Sequence, residues 1–209
     1  MFDVIFCIST SIYIIWGKRV FFQMSGLPFL YAALIFASLT DIMPDSIKKN
    51  ENLSFATLWT VVMMTILTDL LQCTIHVCTH AKLLGSIVYN SHLVHHEAKT
   101  PNIETAFRTG VIDAFIQLIV PLYLTILCVN PDRITCILFG MFYSNWLIHL
   151  HTNTSFYTPL KHILLTPQHH ARHHSRPNTE FAHVMTCVNE FGDELYRCLN
   201  RMSLANHQN

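Results

Sequence analysis

Thr166-Pro167-Gln168-His169-His170-Ala171-Arg172-His173-His174 places four histidines within six residues. Packing alone has no use for such a density of polar, titratable rings. On a helix, His170, His173 and His174 fall at i, i+3 and i+4 and point to one face. The same spacing occurs upstream in His92-Leu93-Val94-His95-His96, and His76-Val77-Cys78-Thr79-His80 sets two imidazoles one turn apart. Imidazole is the commonest protein metal ligand, and several convergent copies hold more than one ion. The pattern is that of a histidine-rich site for two metal ions, with iron the first choice.

Outward from these motifs the chain is apolar. Hydrophobic residues make up 51% of it and charged ones only 12%, which is low in charge for a soluble domain. Residues 2–16 and 27–43 are apolar runs, separated near Gly17-Lys18-Arg19. The first is short for a span of about 20 residues. It has neither a basic leader nor a small-residue cleavage site, so a cleaved signal peptide is not expected. A polar loop, 44–54, precedes a third run from Phe55 to about Gln72 that continues into His76 and His80. Two more runs, 111–129 and 134–150, flank Asn130-Pro131-Asp132-Arg133, a turn that predicts a helical hairpin. Pro121 should kink the first of the pair. The expected fold is all-α: an integral membrane bundle of four to five membrane helices with a cytosolic histidine-rich cap. Its parts are membrane helices and loop (1–54), the metal-binding domain (55–195) and a tail (196–209).

Crossing the membrane twice, the hairpin brings His149, His151 and the last motif back to the face that carries His76 and His80. Lys18, Arg19, Lys82, Lys99, Arg108, Lys161, Arg172, Arg176, Arg197 and Arg201 then lie on the histidine side, against Lys48, Lys49 and Arg133 opposite. The positive-inside rule turns the histidines to the cytoplasm.

Lys plus Arg equals Asp plus Glu at 13 each, and no basic stripe is interleaved with aromatics, so nucleic acid is not an expected partner. The seven cysteines form no CxxC pair and are read as buried free thiols. Structural zinc is satisfied by four ligands and favours thiolate, whereas here about nine histidines converge without cysteine. An all-imidazole shell is neutral, so carboxylates should accept from the outward ring N–H groups. Asp69, Glu97 and Asp193 are the candidates. His162, His183 and His207 are read as ordinary hydrogen-bonding histidines.

The ordered set HxxxH, HxxHH and HxxHH between paired apolar runs resembles the fatty acid hydroxylase/sterol desaturase superfamily. Asn102-Ile103-Glu104-Thr105-Ala106-Phe107-Arg108, the His151-Thr152 pair and Thr166-Pro167-Gln168-His169-His170 resemble its alkylglycerol monooxygenase branch, as does Asp69 ahead of the first motif. The resemblance covers about residues 60–195. Val77 replaces an arginine frequent in the family, its Asn-Tyr-Gly and Trp-Asp elements are absent, and Gly192 stands where the tryptophan would be. No cytochrome b5-like haem motif or GxGxxG fingerprint occurs.

The resemblance implies a membrane-bound oxygenase with two iron ions. It would use O2 to hydroxylate, desaturate or cleave an ether of a lipid such as a fatty acyl chain, sterol or alkylglycerol. Electrons would come from outside, through a reductase with cytochrome b5 or from tetrahydrobiopterin. The expected ligands are His76, His80, His92, His95, His96, His151, His170, His173 and His174. His149 is the substitute for His151, and His169 a further possibility. No catalytic acid or base is required. Two other classes stay open: a non-catalytic metal-binding membrane protein of the same fold, and a metal transporter.

Overall fold

Ser54 starts the helix around which the others pack. Its hydroxyl accepts from the Thr57 N–H, and the Thr57 hydroxyl accepts from the Ser54 N–H, a reciprocal cap. The helix that follows, α1 (Phe55–His80), has 26 residues and is about 39 Å long. The computed structural model describes residues 45–48, 53–106, 108–152 and 160–206. The runs 2–16 and 27–43, and the two membrane helices expected there, lie outside the described residues, as does His207.

After α1 come α2 (Ser86–Leu93), a 3-10 turn His95–Glu97, α3 (Val111–Val129), α4 (Arg133–Leu150), α5 (Pro167–Ser175) and α6 (Thr186–Asn206). Among the described residues no strand forms; Leu164 and Met185 make an isolated bridge. α1 is central and packs against α3, α4 and α6. Toward its start, Met64 joins Phe139, Tyr143, Leu147 and Val184. Toward its end, Cys73 and Val77 join Leu150, Leu165, Phe181 and Val188. Two polar contacts stitch the helices inside this apolar packing. Thr68 Oγ1 donates to Thr125 Oγ1 at 2.9 Å, and the Tyr143 hydroxyl donates to Gln72 Oε1.

The hairpin is as expected. Asn130 takes the left-handed conformation that ends α3 (φ 51°), and the Asp132 carboxylate accepts from the Thr135 N–H to start α4. The turn Asp45–Lys48 meets this corner: Ser46 Oγ donates to Asn130 Oδ1 at 2.6 Å and Arg133 Nε to the Ile47 carbonyl at 3.2 Å. α1 and α4 therefore leave one end of the bundle together, and both arrive at the histidine end. The break expected at Pro121 takes the form of a π turn, Phe115–Ile119, closed by the Val120 N–H on the Phe115 carbonyl. Proline lacks an N–H and its ring crowds the carbonyl four residues back, which here belongs to Gln117; a wider turn relieves both.

Two of the described helices, α1 and α3, are long and apolar enough to cross a membrane. α4 carries Ser144, Asn145 and His149 and does not join them on composition. The outward faces of all three are apolar: Phe55, Leu58, Trp59, Val111, Phe115, Leu127, Met141 and Phe142 are exposed, Phe55 by 85%. So much contiguous exposed hydrocarbon marks a surface covered by something other than water.

Candidate metal centre

Four segments deliver the imidazoles. His76 and His80 sit one turn apart on the buried face at the end of α1; His92 closes α2; His95 and His96 follow on the 3-10 turn. His151 caps the end of α4, and α5 carries His170, His173 and His174, all buried. The structure sorts these nine rings into two sets. In one, the ligating nitrogens of His76, His80, His92, His96 and His173 all lie within 4.8 Å of one another; in the other, so do those of His95, His151, His170 and His174. Each HxxHH motif is divided: His92 and His96 go one way and His95 the other, while His173 parts from His170 and His174. The sets adjoin, with the rings of His96 and His174 4.9 Å apart between centroids.

The outward nitrogens fix the ring protons. His76 Nδ1 lies 2.8 Å from the Phe181 carbonyl, His151 Nδ1 2.8 Å from Leu147, His173 Nδ1 2.6 Å from Thr179 and His174 Nδ1 2.9 Å from Ala98. His95 Nδ1 faces the Arg108 carbonyl at 3.3 Å, and His92 Nδ1 the Asp113 carboxylate at 2.9 Å. A carbonyl or carboxylate only accepts, so each Nδ1 carries the proton and each Nε2 keeps a bare lone pair. The Nε2 atoms of these and neighbouring rings face one another. His76 and His92 Nε2 are 3.0 Å apart, His92 and His96 2.9 Å, His151 and His170 3.0 Å, His170 and His174 3.1 Å. For His76 and His92, whose Nδ1 protons are both placed, two acceptors at that distance repel unless a cation lies between them. Nitrogens at right angles around an ion about 2.1 Å away stand about 3.0 Å apart, against about 3.4 Å in a tetrahedron. The five-membered set offers one nitrogen more than closed tetrahedral zinc takes.

Burial keeps His95, His151, His170, His173 and His174 neutral. It pushes His151 down to about 4, His95 and His183 to about 3 and His174 to about 2, with neighbouring imidazoles adding to the shift of His95 and His174. His170 and His173 are lowered further by the same causes. Neutral imidazole is the form that ligates.

The carboxylates are not where they were expected. None of Asp69, Glu97 and Asp193 is hydrogen-bonded to an imidazole. Asp69, fully buried, accepts from the backbone N–H groups of His183, Val184 and Met185 at 2.8–3.0 Å. It anchors the loop whose Phe181 carbonyl receives His76, and so acts one layer further out. Glu97 pairs with Arg108 at the surface, and Asp193 accepts from the Glu180 N–H at 2.8 Å. The ring acceptors are backbone carbonyls instead, because the loops at 98, 108 and 179–181 wrap the cage closely. The one carboxylate among them is Asp113, also held by Thr109 Oγ1.

Of the two additional histidines, neither joins a set. His169 Nδ1 accepts from the Thr166 N–H at 3.2 Å and caps α5. His149 is half-buried beside Trp146, its ring 5.4 Å away. His183 corrects its sequence reading: it lies against His76, ring centroids 5.4 Å apart, and its Nδ1 is buried with no hydrogen-bond partner. The cysteines other than Cys7 are free, as expected, but Cys73 alone of them is fully buried. Gly192 packs so tightly that a Cβ there would stand 2.5 Å from Cys73 Sγ, which leaves no room for tryptophan.

A cavity beside the cage is lined by His76, His92, His95, His151, His170 and His183 on one side. Gln72, Thr109, Asp113, Gln117 and the apolar Ala106, Ala114, Leu118 and Leu147 complete it. Sequence reasoning passed over Asp113 and Gln117 as part of this wall. Their signal was their spacing, i and i+4 on one face of an otherwise apolar run.

The fold and the site define a class: an all-helical protein whose apolar helices end in a buried double cage of imidazoles. A fatty acid hydroxylase family profile matches residues 61–195. The chain belongs to that family, within the fatty acid hydroxylase/sterol desaturase superfamily. It is 28% identical over 178 residues to an alternative squalene epoxidase of the diatom Phaeodactylum tricornutum, a match covering 81% of this chain and 49% of the relative. The chain thus spans about half the length of that relative. No solved structure matches it.

Proposed function

We propose that the chain is a membrane-bound oxygenase that holds two irons in its double imidazole cage and uses O2 to oxidise a lipid. The observation that carries this is the convergence of Nε2 atoms, at 2.9–3.2 Å, beside a cavity between apolar helices. Family membership supports the lipid and the iron, and the name of the diatom relative supports an isoprenoid among the candidates. When bound, the irons would supply O2 activation and attack on a C–H or C=C bond. In a hydroxylation, the C–H bond is replaced by C–O–H and the second oxygen atom leaves as water. Two electrons and two protons are then required from an external donor, a cytochrome b5 system or tetrahydrobiopterin. Desaturation and cleavage of an ether through a hydroxylated carbon need the same donor.

This chain's own groups orient and shield. His76, His80, His92, His96 and His173 hold one ion, and His95, His151, His170 and His174 the other. Backbone carbonyls and Asp113 fix the ring tautomers, and the apolar wall of Ala106, Ala114, Leu118 and Leu147 excludes water and receives hydrocarbon. Four to five helices would cross the bilayer, with the cage on the cytoplasmic side, in the endoplasmic reticulum of a eukaryote. Asp113 is committed to His92 and Thr109, which counts against the transporter, where an intramembrane carboxylate would line the ion path.

The test is expression in lipid-fed cells under ¹⁸O2, with metal analysis of the detergent-purified protein. About two irons per chain are expected, with a lipid that carries ¹⁸O or gains an O2-dependent double bond, absent from cells expressing His173→Ala. One zinc in active protein would overturn the di-iron assignment. Two irons with no O2-dependent change in any lipid would leave the non-catalytic reading.

A further inference from the structure

One acceptor in the cavity wall is held without a donor. Gln117 lies on the π turn of α3, is 6% exposed, and its Oε1 has no hydrogen-bond partner. Bonds already made fix which end of the amide this is. Gln117 Nε2 donates to Thr79 Oγ1 at 3.0 Å, and the Thr79 hydroxyl proton goes to the Ile75 carbonyl at 2.9 Å. Thr79 has no second proton, so toward Gln117 it only accepts. Turning the amide over would set two acceptors face to face. The carbonyl therefore remains the bare end.

The anchor matters for position. Thr79 is fully buried between His76 and His80 on α1, so Gln117 is tied directly to the helix that carries two rings of the cage. Neighbouring acceptors in the wall are used: Gln72 Oε1 takes the Tyr143 hydroxyl, and Asp113 takes His92 and Thr109. Native structures rarely bury a carbonyl without a donor, so this one calls for a donor from outside the chain, and the cavity it lines is where a ligand would bring one.

We propose that Gln117 determines specificity by accepting a hydrogen bond from a free hydroxyl on the lipid, next to the carbon to be oxidised. The substrate class is then a hydroxyl-bearing lipid; a hydrocarbon such as squalene has no donor to offer. This assignment rests on the lipid-oxygenase reading above and narrows it.

The experiment measures binding, without O2 and therefore without turnover. The metal-loaded full chain in detergent is titrated with matched alcohols and their methyl ethers: dodecanol, octadecanol, farnesol and cholesterol. Tryptophan fluorescence reports the dissociation constants. At least one alcohol should bind about tenfold tighter than its ether, the worth of one buried hydrogen bond. Gln117→Met should bring that ratio to about one with the metal content unchanged, and Thr79→Val, which frees the amide to turn, should lower it. Equal binding within every pair, no binding of any alcohol, or a preference that survives Gln117→Met would overturn the assignment and leave the carbonyl to water. Should Gln117→Met fail to fold, the wild-type ratios and Thr79→Val decide. Loss of the preference leaves the oxygenase reading standing, whereas absence of any O2-dependent change in every lipid removes that reading and leaves the binding ratio as measured.

Discussion

Asp113 Oδ1 lies 2.9 Å from His92 Nδ1, both side chains buried, and among the described residues it is the one carboxylate hydrogen-bonded to a ring of the cage. Its position depends on a close helix contact. Ser91 Oγ accepts from the Asp113 N–H at 3.0 Å, and Gly110 lies so near Ser91 that a Cβ there would collide with its hydroxyl. Removing the acceptor frees the His92 ring to turn and change tautomer. Asp113→Ala should therefore lower metal affinity about 10- to 100-fold. Asp113→Asn, whose carbonyl can still accept, should fall between. Metal retained after dialysis against a graded chelator measures both.

Asp69 acts through the backbone. Its three N–H partners at 183–185 hold the loop that presents the Phe181 carbonyl to His76. Asp69→Ala leaves the buried donors of His183 and Val184 and the part-buried one of Met185 unpaired, a loss of about 1–3 kcal/mol for each of the buried two. The expected outcome is a lower melting temperature in detergent and loss of one ion before the other, read by metal content against temperature.

Gly192 is fixed by its neighbours, since an added methyl would stand 2.5 Å from Cys73 Sγ and 3.3 Å from Phe181 Cβ. Gly192→Ala should destabilise the packing of α6 on α1 by about 1–3 kcal/mol. Combining it with Cys73→Ala removes the colliding sulfur and should restore part of the loss. Thermal melts of the two single variants and the double variant give the coupling, and simple additivity would show that the contact is not the cause.

His149 and His151 separate by their surroundings. His151 is buried with its Nε2 3.0 Å from that of His170, whereas His149 packs beside Trp146 outside both sets. His151→Ala should lose about one ion and all turnover. His149→Ala should keep both ions and lose at most stability. Metal content and product formation at matched protein levels distinguish the two.

Acidification should unfold the metal-free protein. His151 and His174 have folded values of about 4 and about 2, depressed by burial, against about 6.5 when unfolded. Between those limits the unfolded chain binds more protons. Stability is therefore full above about pH 6.5 and is lost as the pH falls toward the folded values, by about 1.4 kcal/mol per histidine per pH unit. Melting temperatures of the stripped protein should be flat from pH 7.5 to 8.5 and fall steeply below pH 6. A flat curve down to pH 5 would mean that these rings take up protons without unfolding.

The sequence alone marked α1, α3, α4 and α5 and offered the nine histidines as candidates, because both are local patterns; α6 was not anticipated. Apolar runs bounded by Ser54 and by Asn130 to Asp132 mark α1 and the α3–α4 corner, and i, i+3, i+4 spacing puts the rings of the polar α5 on one side of a short helix. Only the tertiary structure decided how those rings divide. Residues three and four apart on one face still diverge enough that His170 and His174 join His95 and His151, while His173 crosses to His76. It also decided what holds them. Every residue has a carbonyl, so nothing in the sequence singles out Phe181, Leu147, Thr179 or Ala98 as acceptors, and carboxylates looked the better candidates. Asp69 and Asp193 instead satisfy backbone N–H groups of the loop from Glu180 to Met185, whose path is set by packing between α1 and α6. Gly192 shows the same division: its identity is written in the chain, but the reason for it is a sulfur more than a hundred residues away.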